Sequence, residues 1–365
     1  MQAAIPAYVN SLVREIEQVG SAAGCKIPVH TVFFGGGTPS LLNPTQAEGI
    51  LAALKQSFDL ITGAEVSLEA NPGTVSVEKL LGYREAGFNR ISFGVQSFQD
   101  AELQFLGRIH SSREAVEALD MARAAGFGNI NLDLIFGLPG QTAASWEATL
   151  EQAVILDPEH LSLYSLTIEE GTPLHQQVKS GQVAALDDDL AADMYQLAEE
   201  KLAAAGYTHY EVSNWAKQMN GEVQACIHNL QYWLNLPYLG IGAGAHGCAA
   251  GNRYANVADI EGYIRAVSGE PGMQFPFSNA LESSQPIDRQ TEMNETMMLG
   301  LRLLKQGVSA SAFTKRFGVK IEDVYQKQVG QLIAQGLLEW AGEQNVLRLT
   351  QRGHLLGNRV FREFV

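Results

Sequence analysis

Five short apolar segments, each followed by a pattern typical of an amphipathic helix, recur through the first half of the chain. The segments end in glycine or polar residues and lie at 30–37, 65–73, 89–97, 130–140 and 160–168. The helical patterns between them lie at 44–58, 77–86, 112–125 and 144–156. Strands that alternate with helices of this length are typical of β-α-β units. The sequence therefore predicts an α/β fold built on a parallel sheet.

A further amphipathic helix is predicted ahead of the first apolar segment. In IPAYVNSLVREIEQV, the residues Ile5, Val9, Leu12, Val13 and Ile16 recur at the spacing of one helical face. A helix that opens a β/α series usually follows a strand, and no strand pattern precedes this one.

The rest of the chain has a different pattern. An acidic helix, DDDLAADMYQLAEEKLAAAG, is followed by an aromatic-rich stretch, and the last part combines short helices with LLEWAGEQNVLRLT, which is typical of a β-hairpin. We therefore divide the chain into a barrel domain at 1–170, a barrel extension at 171–284 and a C-terminal domain, similar to a winged helix, at 285–365.

Charge and hydropathy exclude several classes of partner. The net charge is −15, and the stretch 285–365 has 11 basic against 8 acidic residues, so it carries +3 and the remainder −18. Phosphate contacts need clustered Lys and Arg, so we expect no nucleic acid partner. No apolar run approaches the roughly 18 residues of a membrane helix, and the N-terminus lacks the apolar core of a secretory signal. We expect a cytoplasmic protein without a transmembrane segment.

Polar residues and glycines stand where the predicted strands end. The ends carry Gly-Gly-Gly-Thr (35–38), Glu69, Gln96, Asp133 and, after the fifth strand, Thr167. In β/α barrels the ligand site gathers at this edge. Glycines let the backbone approach a ligand closely, although a structural turn also explains such a run. A carboxylate there can hold ribose hydroxyls through charge-assisted hydrogen bonds, although helix capping also explains an acid.

The acid inside the fourth apolar segment is a stronger indication of a site. Asp133 lies within INLDLIFG, and a buried carboxylate is costly unless it is paired. Arg108, in LGRIH, is a candidate partner or ligand clamp, and an ordinary surface arginine fits its context equally well.

Five strings in order carry a resemblance to a known family: FFGGGTPSLL, SLEANPGT, GFNRISFGVQSF, LGRIH and NLDLIFGLPGQT. They resemble the group of radical S-adenosylmethionine proteins that contains the HemW heme chaperones and the oxygen-independent coproporphyrinogen III oxidases. The resemblance extends over essentially the whole chain and implies an open barrel of six β/α units that binds S-adenosylmethionine. It also implies that Gly36–Thr38 hold the methionine end and Glu69 the ribose. The full set of matching binding positions is Gly36, Gly37, Thr38, Glu69, Gln96, Arg108 and Asp133, with Thr167 as a weaker match.

The chain departs from this family at the iron–sulfur site. The family holds a [4Fe-4S] cluster with a Cys-x3-Cys-x2-Cys loop after its first strand, and this sequence has no such motif. Its cysteines, Cys25, Cys226 and Cys248, are too few and too far apart for a disulfide framework or a metal loop. We expect a chain that lacks the first strand and the cluster loop through a misassigned start or a gene fragment; a genuine cluster-free paralogue is the alternative. As written, it should bind no [4Fe-4S] cluster.

A second motif separates the members of the group. HNLQYW supplies His228, Asn229, Tyr232 and Trp233, and it matches the HNxxYW motif associated with heme binding in the chaperones. An imidazole can ligate heme iron, and the rings offer flat apolar contact, although packing in a core also explains them. His228 is thus a candidate iron ligand, and the thiolate of Cys226 is a second. His246, in GIGAGAHG, lies where the glycine spacing favours a backbone bend.

The resemblance implies a heme chaperone that passes heme to recipient hemoproteins. One alternative is a coproporphyrinogen III oxidase, an enzyme that would decarboxylate two propionates; HNxxYW favours the chaperone. Another is a winged-helix binding module on a decayed barrel. Because a missing first strand would leave an unpaired sheet edge, which invites aggregation or pairing with another chain, a dimer is a further expectation.

Overall fold

A computed structural model describes residues 4–185, 187–270, 272–343 and 345–365. Its main sheet has, among these residues, eight strands, and β1 to β5 pair in parallel in chain order. The five predicted strands are therefore all present. The strands of this sheet are β1 (Pro28–Phe34), β2 (Asp59–Ala70), β3 (Arg90–Gln96), β4 (Ile130–Phe136), β5 (His160–Ser165), β6 (Tyr207–Glu211), β7 (Asn214–Met219) and β8 (Glu222–Val223).

The predicted helices lie within three residues of their expected bounds. Side chains that accept from the first turn fix several of these starts: Asn43 forms a capping box with Gln46, and Ser111 forms one with Glu114. Leu68, Phe93 and Leu132 are fully buried between the sheet and this helical layer. The helices are α1 (Ile5–Ala22), α2 (Pro44–Ser57), α3 (Val77–Ala86), α4 (Asp100–Phe105), α5 (Ser112–Ala124) and α6 (Ala143–Leu156).

The middle of the chain continues the same sheet. Strand β7 pairs antiparallel with β5 and β6 pairs antiparallel with β7, so they cover the edge beyond β5. A separate antiparallel sheet has the order β11-β10-β9. The further elements here are α7 (Pro173–Lys179), α8 (Asp188–Ala204), α9 (Ile227–Trp233), β9 (His246–Ala249), β10 (Asn252–Asn256), α10 (Ile260–Val267) and β11 (Leu281–Pro286).

The C-terminal region has the predicted helices and hairpin around a core of its own. Its strands form a three-stranded sheet in the order β12-β14-β13. Backbone hydrogen bonds of 3.2 Å from Val212 to Arg302 and 3.1 Å from Leu304 to Tyr210 join it to the end of β6. Its elements are α11 (Arg289–Gly300), β12 (Val308–Ser309), α12 (Ala310–Phe317), α13 (Ile321–Ala334), β13 (Leu338–Ala341), β14 (Val346–Leu349), α14 (Gln351–Leu355) and α15 (Gly357–Phe361).

These elements confirm the α/β class, with a mixed and mostly parallel sheet. The domain limits at 170 and 284 stay a prediction, and β6 to β8 of the predicted middle domain complete the sheet of the first. Within the described residues, no helix combines the length and the apolar character that crossing a membrane requires.

Candidate functional site

A cavity of about 210 Å³ opens at the carboxyl ends of the parallel strands. Six of the eight residues predicted to bind S-adenosylmethionine line it: Gly37, Thr38, Glu69, Gln96, Arg108 and Asp133. Pro39, Ala70, Asn71, Ser92 and Gly94 complete the lining. The chain thus brings residues from four consecutive β/α units to one cavity, as the strand-end pattern predicts.

The glycine loop after β1 has a shape that other residues rarely adopt. Gly36 and Gly37 have φ values of +76° and +61°, in the left-handed region. An added Cβ would meet no atom within 4 Å at either position, so backbone conformation, not crowding, favours glycine there. The Gly36 N–H donates to Glu69 Oε2 at 3.1 Å, and this bond ties the loop to the end of β2.

Two carboxyl groups give the cavity its electrostatic character. Asp133 accepts hydrogen bonds of 2.9 Å from Ser92 and from Asn131. Burial raises the pKa of Asp133, and these hydrogen bonds, which lower it, offset only part of that effect. Burial, followed by the charge of Asp133, raises the pKa of Glu69. Arg108 is the cation among the lining residues, so the cavity combines two acids with one guanidinium.

The end of β3 is strained. Gln96 has a φ of +70°, which is unusual for a residue with a side chain, and the pairing of β3 with β4 is irregular between Phe93 and Gln96. Strain of this kind is concentrated at ligand sites, where the surrounding structure holds it. Gln96 is buried and lines the cavity.

Thr167 stands apart from this cluster. It lies two residues beyond β5, is exposed, and is not part of the cavity lining. The assignment of the eight residues to S-adenosylmethionine stays a prediction.

The HNxxYW segment forms the short helix α9, which lies against the polar face of the sheet. Glu65 on β2 is buried, and its carboxylate accepts hydrogen bonds of 3.0 Å from the backbone N–H groups of Ile227 and His228. These are unpaired donors of the first helical turn, so Glu65 fixes where α9 begins. Cys226, the residue before the helix, is also buried, and its thiol lies 3.5 Å from Glu65 Oε1.

Both ring nitrogens of His228 have hydrogen-bond partners. Its Nδ1 lies 2.9 Å from Thr31 Oγ1, and its Nε2 lies 3.0 Å from the Tyr232 hydroxyl. The ring also stacks on Phe33, with centroids 4.9 Å apart and planes at 12°. Burial lowers the pKa of His228, although the nearby charge of Glu65 acts in the opposite direction. The lowered pKa favours the neutral imidazole, which is the form that can ligate a metal. Iron ligation through Nε2 requires the Tyr232 hydroxyl to swing aside.

Tyr232 and Trp233 line a second cavity, of about 290 Å³, between α9 and α11. Arg302 lies over the Trp233 ring at 4.2 Å, and its guanidinium is 3.3 Å from the buried carboxylate of Glu211. Asn229 is half-buried on the same helix. The rest of the lining is mostly apolar and sulfur-containing: Asn235, Leu236, Tyr238, Cys248, Arg253, Glu295, Met298 and Leu299.

The bend predicted around His246 is confirmed. Gly242 and Gly244 have φ values of +111° and +66° in the loop before β9. The His246 side chain is exposed at the start of that strand.

Sequence reasoning missed a row of polar residues under α9. Glu65, Arg90, Asn131 and His160 are each at most 5% exposed, and they alternate with core residues along β2 to β5. The signal was readable: a polar residue at every second position of an apolar strand predicts a polar face of the sheet. EVSLE, RIS, NLD and HLS all have this period.

Hydrogen bonds connect this row to the strand-end cavity and to the start of α9. Asn131, which donates to Asp133, accepts from His160 Nδ1 at 2.6 Å. His160 Nε2 lies 2.8 Å from the Tyr210 hydroxyl, which accepts from the Cys226 N–H at 3.3 Å. Burial, with the charge of Arg90, lowers the pKa of His160 well below its ordinary value. An uninterrupted network thus runs from Asp133 to the start of α9.

The three cysteines lie in separate parts of the fold. Cys25 is exposed beyond α1, Cys226 precedes α9, and Cys248 lies on β9. Burial raises the pKa of the Cys226 thiol to about 11, which disfavours the thiolate that metals bind. A [4Fe-4S] cluster is held by several thiolates together. The cysteines of this chain do not fit that group.

The sequence is similar to those of known proteins along most of its length. The sequence pattern of the Radical SAM superfamily matches residues 3–153, and that of the HemN C-terminal domain matches residues 287–356. The heme chaperone HemW of Bacillus subtilis is 37% identical over 98% of this chain and 91% of its own length. The heme chaperone HemW of Escherichia coli is 37% identical over 98% of this chain and 89% of its own length. The chain belongs to the HemW family of radical S-adenosylmethionine proteins. This membership confirms the predicted resemblance.

A solved structure agrees with the HemW-family fold. The coproporphyrinogen III oxidase HemN of Escherichia coli, described as a radical SAM enzyme, superimposes with a TM-score of 0.81. The match covers 100% of this chain and 84% of HemN at 22% identity, which shows the fold alone. Relatives at 36–37% identity bear the chaperone name, so the preference for the HemW side of the group is confirmed.

Proposed function

We propose that this chain binds heme beside helix α9 and transfers it to recipient hemoproteins. The main support for this proposal is the position of the HNxxYW residues. Tyr232 and Trp233 line a largely apolar cavity, and His228 lies one helical turn before Tyr232. Porphyrin needs flat apolar contact and a nitrogen or sulfur ligand for its iron. The same cavity also contains Cys248 and Met298, which are soft donors. The names of the relatives support this cargo.

We further propose that the strand-end cavity binds S-adenosylmethionine. Its donor set fits that molecule: carboxylates suit the ribose hydroxyls and the sulfonium charge, and a guanidinium and glycine N–H groups suit the methionine carboxylate. When bound, the ligand supplies an adenosyl group linked to methionine through a cationic sulfur. Glu69 would accept from the ribose, and Gly36, Gly37 and Thr38 would hold the methionine end. Gln96 and Asp133 would close the sides, with Arg108 at the rim and Thr167 as an outer contact.

Heme titration followed at the Soret band tests the first proposal. Replacing His228 with Ala removes an iron ligand or an orienting hydrogen bond, worth roughly 1.5–3 kcal/mol. We expect heme affinity to fall by about one to two decades. His246→Ala is the matched control, because that imidazole is exposed and lies outside the second cavity. Its affinity should equal that of the unchanged chain.

Circular dichroism of His228→Ala establishes whether the variant is folded before its affinity is compared. A folded His228→Ala variant with the original heme affinity and an unchanged Soret spectrum would show that His228 is a packing residue. Trp233→Phe keeps an aromatic ring on the cavity and loses the Arg302 contact only in part. We therefore expect its heme affinity to fall less than that of His228→Ala.

A further inference from the structure

Three metal-ligating side chains meet outside the linings of both cavities, where the C-terminal region packs on the barrel. Glu199 comes from α8, His209 from β6 and His354 from α14. Glu199 Oε1 lies 3.1 Å from His209 Nδ1 and 3.0 Å from His354 Nδ1. The three ligand atoms all lie within 4.8 Å of one another. The side chains are only 14–16% exposed, so this is an enclosed cluster with restricted access to water.

The surroundings of His209 indicate which of its nitrogens carries a proton. The Tyr195 hydroxyl lies 2.8 Å from the Val212 carbonyl oxygen and therefore donates to it. His209 Nε2 lies 3.3 Å from that carbonyl and 3.3 Å from the Tyr195 oxygen, so it faces two oxygens that can only accept from it. A proton on Nε2 satisfies this geometry. In the neutral ring, Nδ1 then presents a lone pair.

That lone pair points at a carboxylate oxygen. An unprotonated Nδ1 at 3.1 Å from Glu199 Oε1 leaves two acceptors facing each other, which is unfavourable unless a cation lies between them. In the described part of the chain, no lysine or arginine forms an ion pair with Glu199; the basic groups near its carboxylate are these two histidines, which are cationic only when protonated. A second proton shared by this pair, or a metal ion, would relieve the two facing acceptors.

The cluster also has the support that metal ligands usually have. Histidines that bind a metal donate their other ring N–H to a carbonyl or carboxylate, and His209 with its proton on Nε2 would donate in this way to Val212. The His209 ring is held in place by stacking on Trp215, with centroids 3.9 Å apart and planes at 8°. Trp215 is fully buried, so this orientation is fixed by the barrel core.

We propose that Glu199, His209 and His354 bind a divalent transition-metal ion of the zinc type, which fastens helix α14 to α8 and β6. Two imidazoles and one carboxylate suit Zn²⁺ better than Mg²⁺ or Ca²⁺, which prefer oxygen ligands. Three protein ligands leave the fourth tetrahedral position to water. The site lies outside the proposed heme and S-adenosylmethionine cavities and does not depend on either.

The test uses the full chain, freed of metal with a chelator and then titrated with Co²⁺. We expect one equivalent to bind and to give the visible absorption bands of a four-coordinate Co²⁺ ion, and Zn²⁺ to displace it. The midpoint temperature of thermal unfolding should rise when Zn²⁺ is added. Glu199→Gln and His354→Ala should each weaken Co²⁺ binding by at least about tenfold, since each removes one of three ligands. His30→Ala is the matched control, because His30 is exposed on β1 and lies outside the cluster.

Binding that persists at the original affinity in both ligand variants would overturn the proposal, because the ion would then lie elsewhere. An unchanged chain that binds no Co²⁺ or Zn²⁺ would also overturn it, whatever the variants do, and would assign the cation between His209 and Glu199 to a proton. Neither outcome depends on heme binding.

Discussion

At the residue scale, the acids at the strand-end cavity are the most informative side chains. Asp133 is predicted as a site residue because a carboxylate inside an apolar strand is costly unless it is paired. In the structure, Ser92 and Asn131 donate hydrogen bonds to it. Glu69 was predicted from the end of its strand. Neither its bond to the Gly36 N–H nor the effect of Asp133 on its pKa was readable from sequence, since both depend on how neighbouring strands align.

The raised pKa of Glu69 predicts how the cavity responds to pH. Burial and the charge of Asp133 favour the protonated form, so Glu69 gains its proton at a higher pH than an ordinary glutamate. Protonation removes the charge that strengthens a hydrogen bond from a ribose hydroxyl. We expect S-adenosylmethionine affinity, measured by calorimetry, to fall as the pH is lowered from about 8 to about 4, with the fall beginning above the ordinary glutamate pKa of about 4.3. Glu69→Gln should bind more weakly and lose this dependence; an identical profile in the variant would assign the titration to another group.

At the scale of elements, the strands and helices of the barrel were predictable because their signals are local. Capping residues such as Asn43 and Ser111 and the apolar period fix the bounds from a few neighbours in the chain. The start of α9 was different. Its buried acceptor, Glu65, lies more than 160 residues earlier, and no local pattern connects the two.

Removing the charge of Glu65 should therefore disturb α9. Glu65→Gln leaves one oxygen for the two N–H groups of Ile227 and His228 and directs an amide donor at them. It also removes a negative charge near the buried Arg90. We expect the free energy of unfolding in urea to fall by about 1–3 kcal/mol and heme affinity to fall with it. Glu17→Gln, on the exposed side of α1, should change stability by less than about 0.5 kcal/mol. Equal stability of the two variants would contradict this role for Glu65.

At the scale of the whole molecule, contacts between distant segments decide how the three regions fit together. Glu15 of α1 is buried and accepts from the Gly242 N–H and from the Asn256, Tyr263 and Ser278 side chains. The cluster that contains His354 joins α14 to the barrel in a similar way. The sequence predicted the regions from composition and period. It could not predict these contacts between regions, because a single polar residue does not indicate which residue 150 or more positions away is its partner.

Strand β1 has a consequence for ligand exchange. Its Thr31 and Phe33 contact the His228 ring, and its carboxyl end continues into the glycine loop at 35–37. A ligand that orders the loop therefore also restrains the imidazole, and thermodynamic reciprocity requires each ligand to change the other's dissociation constant by the same factor. We expect S-adenosylmethionine to tighten heme binding, and heme to tighten S-adenosylmethionine binding equally, when each titration is repeated with the other ligand saturating. Phe33→Ala should reduce that shared factor towards one. Heme dissociation constants that do not change with S-adenosylmethionine would mean that the two cavities exchange their ligands independently.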